Sequence, residues 1–97
     1  MHMNAEALTE EQVDSEIAVV GAGPAGISVA LEFARNGHDV VLVESGGRTF
    51  SADTQALGDA DLDPLRHAPM AESTRRQVGG ASTIWGGRCI PYDPIDF

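Results

Sequence analysis

The chain has no lysine, a single cysteine and no long apolar run. One cysteine, Cys89, excludes an internal disulfide and a cysteine-based zinc site. Six arginines against 15 acids leave a net charge of −9, which argues against nucleic acid or an anionic membrane surface as partners. No stretch approaches the ~20 apolar residues needed to span a bilayer. The first basic residue is Arg35, so no positively charged segment precedes an apolar one as in a secretory signal, and the cytoplasm is the expected location. At 97 residues the chain is one small domain at most, close to the lower limit for a core that is stable alone. A 42% hydrophobic content is nevertheless too high for a disordered acidic tail.

What is there falls into four segments. Residues 1–16 read as an acidic, flexible leader, with five acids and no base over 4–16. Residues 17–47 are densely patterned. Residues 48–74 read as irregular and acidic, and the stretch from Phe50 to Met70 within them as a lid or an assembly arm. Residues 75–97 are rich in glycine and then in proline. The expected organisation is the leader followed by one folded unit over 17–97.

The patterned segment predicts a βαβ unit. Ile17-Ala18-Val19-Val20 is a short apolar run rich in β-branched residues, as in a parallel strand covered on both faces. Pro24 stands where a first helical residue belongs. Ile27, Ala30, Leu31 and Ala34 then recur with the spacing of one helical face. Arg35 and Gly37 supply stop signals, and Val40-Val41-Leu42-Val43 is a second buried-type strand.

Gly21-Ala22-Gly23-Pro24-Ala25-Gly26 is G-x-G-x-x-G. Alone it is a weak signal, but here it closes a predicted strand and opens a predicted helix, the context that gives it meaning. Gly21 permits the tight turn, Gly23 lets a pyrophosphate approach the backbone, and Gly26 lets the helix lie close to the strand. Pro24 and Ala25 form the helix's first turn, whose free N–H groups and dipole favour a diphosphate. Glu44 ends the second strand, about 20 residues on, where a carboxylate accepts ribose hydroxyls and repels a 2′-phosphate. Ser45 and Arg48 are further candidates on the adenosine side, although Arg48 can equally cap its loop. The motif fits FAD or NAD. Ala30 and Gly37 match the extended spacing seen in FAD-binding folds, which tilts the choice towards FAD.

A second glycine-rich stretch follows. Gly79, Gly80, Gly86 and Gly87 leave the backbone bare at two points, with Ser82 and Thr83 between them and Trp85 placed to wall one side of a pocket. A flat heterocycle with polar edges suits such a loop. From Leu65 to Tyr92 there are four arginines and one acid, Glu72, a locally positive stretch that suits a diphosphate or an anionic reduced flavin. Taken singly, each arginine is more readily read as a partner for acids elsewhere. His38 reads as a solvated turn residue and Cys89 as a small filler.

Val78-Gly79-Gly80-Ala81-Ser82-Thr83-Ile84-Trp85-Gly86-Gly87-Arg88, followed by Ile90-Pro91-Tyr92-Asp93-Pro94-Ile95-Asp96-Phe97, resembles the flavin-binding region of glucose–methanol–choline (GMC) oxidoreductases, in their pyranose and glycoside oxidase branch. The resemblance covers about Ile17 to Phe97. It implies that Gly21, Gly23, Pro24, Ala25, Gly26 and Glu44 hold the ADP half of FAD. It implies that Gly79, Gly80, Ser82, Thr83, Trp85 and Gly86 pass beside the isoalloxazine. Some pyranose oxidases carry a flavin-linked histidine where this chain has Ile84, so non-covalent FAD is implied.

The family's reaction moves a hydride from a CH–OH group, here that of a small-molecule alcohol or sugar, to flavin N5, with a histidine as base. No position here corresponds to that base, so no catalytic residue is assigned, and no metal ligand either. The expected fold is thus α/β: a partial Rossmann-like FAD-binding fold, a βαβ unit plus a glycine-rich flavin loop. Two strands and one helix bury too little to stand alone, so a complementary chain or C-terminal part is expected to complete it. An NAD-binding module of a dehydrogenase or sensor, or a non-catalytic fragment, are the alternatives.

Overall fold

The computed structural model describes residues 3–5 and 12–97. Half of the expected leader over 1–16 lies outside the described residues. The elements run β1 (Ile17–Val20), α1 (Pro24–Arg35), β2 (Val40–Val43), α2 (Ala52–Ala56) and α3 (Met70–Ser73), followed by 3-10 turns over Gly80–Thr83 and Pro94–Asp96. β1 and β2 pair in parallel, Ile17 opposite Val40 and Val20 opposite Val43. The ladder extends at both ends, by Ile17 N–H to the Asp39 carbonyl (3.1 Å) and Gly21 N–H to the Val43 carbonyl (2.7 Å). The fold is α/β and corresponds to part of a Rossmann-like unit, as the sequence predicts.

Local chemistry accounts for these boundaries. Pro24 opens α1 without needing an N–H bond. Asn36 closes it, its side-chain amide donating to the Glu32 carbonyl at 2.8 Å. Gly37 makes the exit at φ 89°, a left-handed conformation that glycine takes without strain. Glu16 then ties the return strand to β1's entrance. Its Oε2 lies 3.1 Å from His38 Nδ1 and accepts the Asp39 N–H at 3.3 Å.

Two expectations need correction. β1 alternates between half-buried and exposed residues, and Val20 is 85% exposed, so only one face of the strand is covered among the described residues. The helical face is likewise covered in part. Ala30 is buried and Ile27 half-buried, while Leu31 and Ala34 are exposed. The reason is width. Two strands 4.7–4.9 Å apart cannot cover a helix stripe over 100° wide. The stretch 48–74 is not wholly irregular either. It holds α2, whose N-cap Ser51 accepts the Thr54 N–H at 3.3 Å, and α3.

Candidate functional site

The glycine turn sits at the carboxyl end of β1, the end at which parallel α/β sheets bind ligands. Gly23 is the N-cap of α1, in extended conformation, with no side-chain cap. The helix therefore presents its first N–H groups without a protein side chain over them. A Cβ at Gly23 would meet nothing within 4 Å, so the approach to the backbone is open where a pyrophosphate would lie. Pro24 and Ala25, in the first turn, are exposed. Gly26 has the opposite surroundings. A Cβ there would fall on the Gly21 carbonyl oxygen and lie 3.5 Å from the Val19 side chain.

Glu44 follows β2 and turns back onto the glycine turn. Its Oε2 accepts the Ala22 N–H at 2.8 Å, and its Oε1 accepts the Gly46 N–H at 2.9 Å. The Ser45 hydroxyl touches Oε1 at 3.3 Å. The carboxylate is thus a clamp between the turn after β1 and the loop after β2, a role the sequence did not disclose. A carboxylate has about four acceptor positions, so with two N–H groups and the Ser45 hydroxyl bound, capacity for one ribose hydroxyl remains.

The second glycine stretch lies against the first. Gly79 N–H donates to the Ala22 carbonyl at 2.7 Å, and Val78 N–H to the Gly47 carbonyl at 3.0 Å. A Cβ on Gly80, at φ 54°, would stand 2.9 Å from Gly23 Cα. Gly79 and Gly80 of the second motif therefore lie directly against Ala22 and Gly23 of the first. Gly80→Ala is expected to destabilise the folded protein by about 2 kcal/mol through left-handed strain and overpacking, read from its urea midpoint, and to part the two loops.

The remaining candidates divide. The Ser82 and Thr83 hydroxyls donate to the Gly79 and Gly80 carbonyls at 2.6 and 2.9 Å. Their protons are thus engaged in the turn, and only their oxygen lone pairs face outward chemistry. Trp85 is half exposed and Gly86 exposed. Ser45 is beside Glu44, as expected. For Arg48 the structure ties in the main chain, its carbonyl accepting from Gln77 Nε2 at 3.0 Å.

One functional candidate, Gln55, went unread, and Arg76 was read only as one of the four arginines of the positive stretch. Arg76 Nη1 donates to Ser45 Oγ at 3.1 Å. Gln55, 5% exposed, is the buried polar side chain of the described residues. Its Oε1 accepts the Arg76 N–H at 3.0 Å. The reading that each arginine pairs with an acid holds for Arg66, 3.5 Å from Asp63. Arg75 instead lies over the Phe50 ring at 4.3 Å.

A parallel βαβ unit with a glycine turn, an open helix N-terminus and an acid clamped beside it defines a dinucleotide-binding unit. The chain belongs to the pyridine nucleotide-disulphide oxidoreductase family, whose model matches residues 2–78. It is 35% identical over 83 residues to a flavin-containing monooxygenase, FMO GS-OX-like 5, of Arabidopsis thaliana, covering 78% of this chain and 18% of that protein. It is 44% identical over 55 residues to the FAD-dependent monooxygenase AacuC of Aspergillus aculeatus, covering 55% of this chain and 11% of that one. It is 30% identical over 94 residues to paromamine 6'-oxidase of Streptomyces fradiae, covering 84% of this chain and 17% of that protein. The chain thus spans less than a fifth of each of these three relatives. No solved structure matches it at a significant level. Among the described residues no helix is long and apolar enough to cross a membrane.

Proposed function

We propose that this chain is the FAD-binding portion of a flavin-dependent oxidoreductase of GMC type that oxidises a CH–OH group, of a sugar or glycoside. The observation that supports it best is the contact of Gly80 with Gly23. It sets the second glycine loop beside the diphosphate cradle, within reach of one extended cofactor. The dinucleotide is FAD, in keeping with the family and with relatives named as flavin- or FAD-dependent. The CH–OH reading draws on the likeness to paromamine 6'-oxidase, 30% identical over 84% of this chain.

The residues act by holding and excluding. Gly23 and the first turn of α1 receive the diphosphate, Glu44 accepts a ribose hydroxyl, and the Gly79–Gly86 loop lies along the cofactor's other half. When bound, FAD supplies the hydride acceptor. The base that takes the hydroxyl proton, the substrate pocket and the strands that cover Val20, Leu42 and Val43 are assigned to a complementary chain or part.

The whole protein, purified with that complement, is expected to show a flavin absorption spectrum. Because Ile84 offers no nucleophile, acid precipitation is expected to release the colour into the supernatant. A colourless preparation that takes up no FAD rejects the reading. A monooxygenase reading is favoured by the larger share of relatives so named. Anaerobic mixing separates the two: bleaching by an alcohol or sugar alone supports CH–OH oxidation, and bleaching only by a reduced nicotinamide supports the monooxygenase.

A further inference from the structure

Resting on the reading that this turn and Glu44 hold the adenosine end of a dinucleotide, we propose that Arg76 is a further binding residue for that end and that buried Gln55 positions it. The Arg76 guanidinium is two hydrogen bonds from the ribose carboxylate. Arg76 Nη1 donates to Ser45 Oγ (3.1 Å), and Ser45 Oγ lies 3.3 Å from Glu44 Oε1. Among the described residues Ser45 is the one hydrogen-bond partner of that guanidinium. A guanidinium carries five N–H donors in a plane and stacks on flat rings, so its other donors and its planar face are what an adenosine would meet.

The route of the side chain is built. Gly58 makes room for it, since a Cβ there would stand 3.0 Å from Arg76 Nε. The main chain of Arg76 is pressed onto the loop that follows Glu44. A Cβ on Gly46 would fall on the Arg76 carbonyl oxygen and lie 2.7 Å from Gln77 N.

Gln55 fixes this arrangement from beneath. Its Oε1 takes the Arg76 N–H, and its Nε2 lies 3.4 Å from Thr74 Oγ1 and 3.5 Å from the Thr74 carbonyl. A buried amide persists where its polar atoms have partners. Here those partners are Thr74 and the main-chain N–H of Arg76 itself. The stitches that follow, Gln77 Nε2 to the Arg48 carbonyl and Val78 N–H to the Gly47 carbonyl, keep residues 76–78 flat on residues 46–48. Gln55 touches no atom of the site itself and acts through Arg76.

The test uses the complete protein and three probes: FAD, AMP for the adenosine end, and FMN for the flavin end. Arg76→Met is expected to weaken FAD and AMP each roughly tenfold, the worth of one charged contact, and to leave FMN unchanged. Arg76→Lys, which keeps the charge but not the fork, is expected to recover part of the loss. Gln55→Leu is expected to move AMP in the same direction. The double variant is then no worse than Arg76→Met alone, since both changes act on one contact. Unchanged AMP binding in Arg76→Met overturns the proposal. So does an equal loss of AMP and FMN, which would mark general damage. If Gln55→Leu does not fold, the two Arg76 variants decide the matter by the AMP-to-FMN ratio. A wild-type protein that binds neither FAD nor AMP overturns the functional reading instead, and this proposal with it.

Discussion

Gly26→Ala is expected to abolish the folded, cofactor-bearing protein, whereas Gly23→Ala, three residues away, is expected to leave a folded protein that no longer takes up FAD. The two glycines share one motif but face different things. At Gly26 a methyl group would occupy the position of the Gly21 carbonyl oxygen, with the Gly21 carbonyl carbon at 3.1 Å. That neighbour is backbone, fixed at one end by the Gly21 N–H bond to β2 (2.7 Å), so it cannot rotate aside as a side chain would. Relief requires α1 to lift from β1. Overpacking of this kind costs about 3 kcal/mol or more, a large share of the ~5–15 kcal/mol that holds a domain together. At Gly23 the backbone is at φ −80°, which alanine adopts freely. Its methyl would meet no protein atom within 4 Å and would instead enter the space assigned to the diphosphate. Thermal melting and flavin content, measured on both variants, separate the outcomes. Equal flavin content in Gly23→Ala and wild type would remove the diphosphate from this turn.

The contrast shows what a sequence can disclose. Runs such as Ile17–Val20 and Val40–Val43, and the Pro24 and Gly37 punctuation of α1, are local signals, and the structure places β1, α1 and β2 on those residues. The open backbone at Gly23 and the close packing at Gly26 were legible because the motif's spacing encodes a turn geometry. Glu44 was legible as an acid in place, but its bonds to Ala22 and Gly46 depend on how two loops meet, and no window of sequence contains both. α2 and α3 are five and four residues long, about one turn each, too short for a periodic pattern to show. Gln55 was invisible for a related reason. Nothing in Ala52–Ala56 marks one residue for burial. The burial comes from residues 74–76, some twenty positions on, folding back over it. Arg76 stood in view within a positive stretch, yet its partner proved to be the Ser45 hydroxyl and not an acid, which charge counting cannot anticipate.

Glu44→Ala is expected to have the second large effect, and Glu44→Gln divides it into two parts. In the alanine variant the Ala22 and Gly46 N–H groups, both partly buried, lose the acceptor that holds them at 2.8 and 2.9 Å. Hydrogen bonds to a charged group contribute about 1.5–3 kcal/mol each, so a loss of roughly 3 kcal/mol is expected for the pair. The turn after β1 and the loop after β2 would then be joined by the Gly79–Ala22 and Val78–Gly47 bonds without the direct strap. Glutamine keeps one acceptor oxygen in nearly the same volume and turns an amide NH2, itself a donor, towards the other N–H. It should therefore lose less stability than alanine while losing the negative charge altogether. That charge is what discriminates among nucleotides, because it welcomes a free ribose hydroxyl and repels a phosphate on the 2′ oxygen. The wild-type protein should bind AMP well and adenosine 2′,5′-bisphosphate poorly, and Glu44→Gln should narrow that ratio by about tenfold, the size of one charge–charge term at a partly exposed site. Urea midpoints read the clamp, and the ratio of the two affinities reads the ribose contact. A midpoint that falls with an unchanged ratio would leave Glu44 as a strap between loops and nothing more, and the adenosine would have to be placed elsewhere.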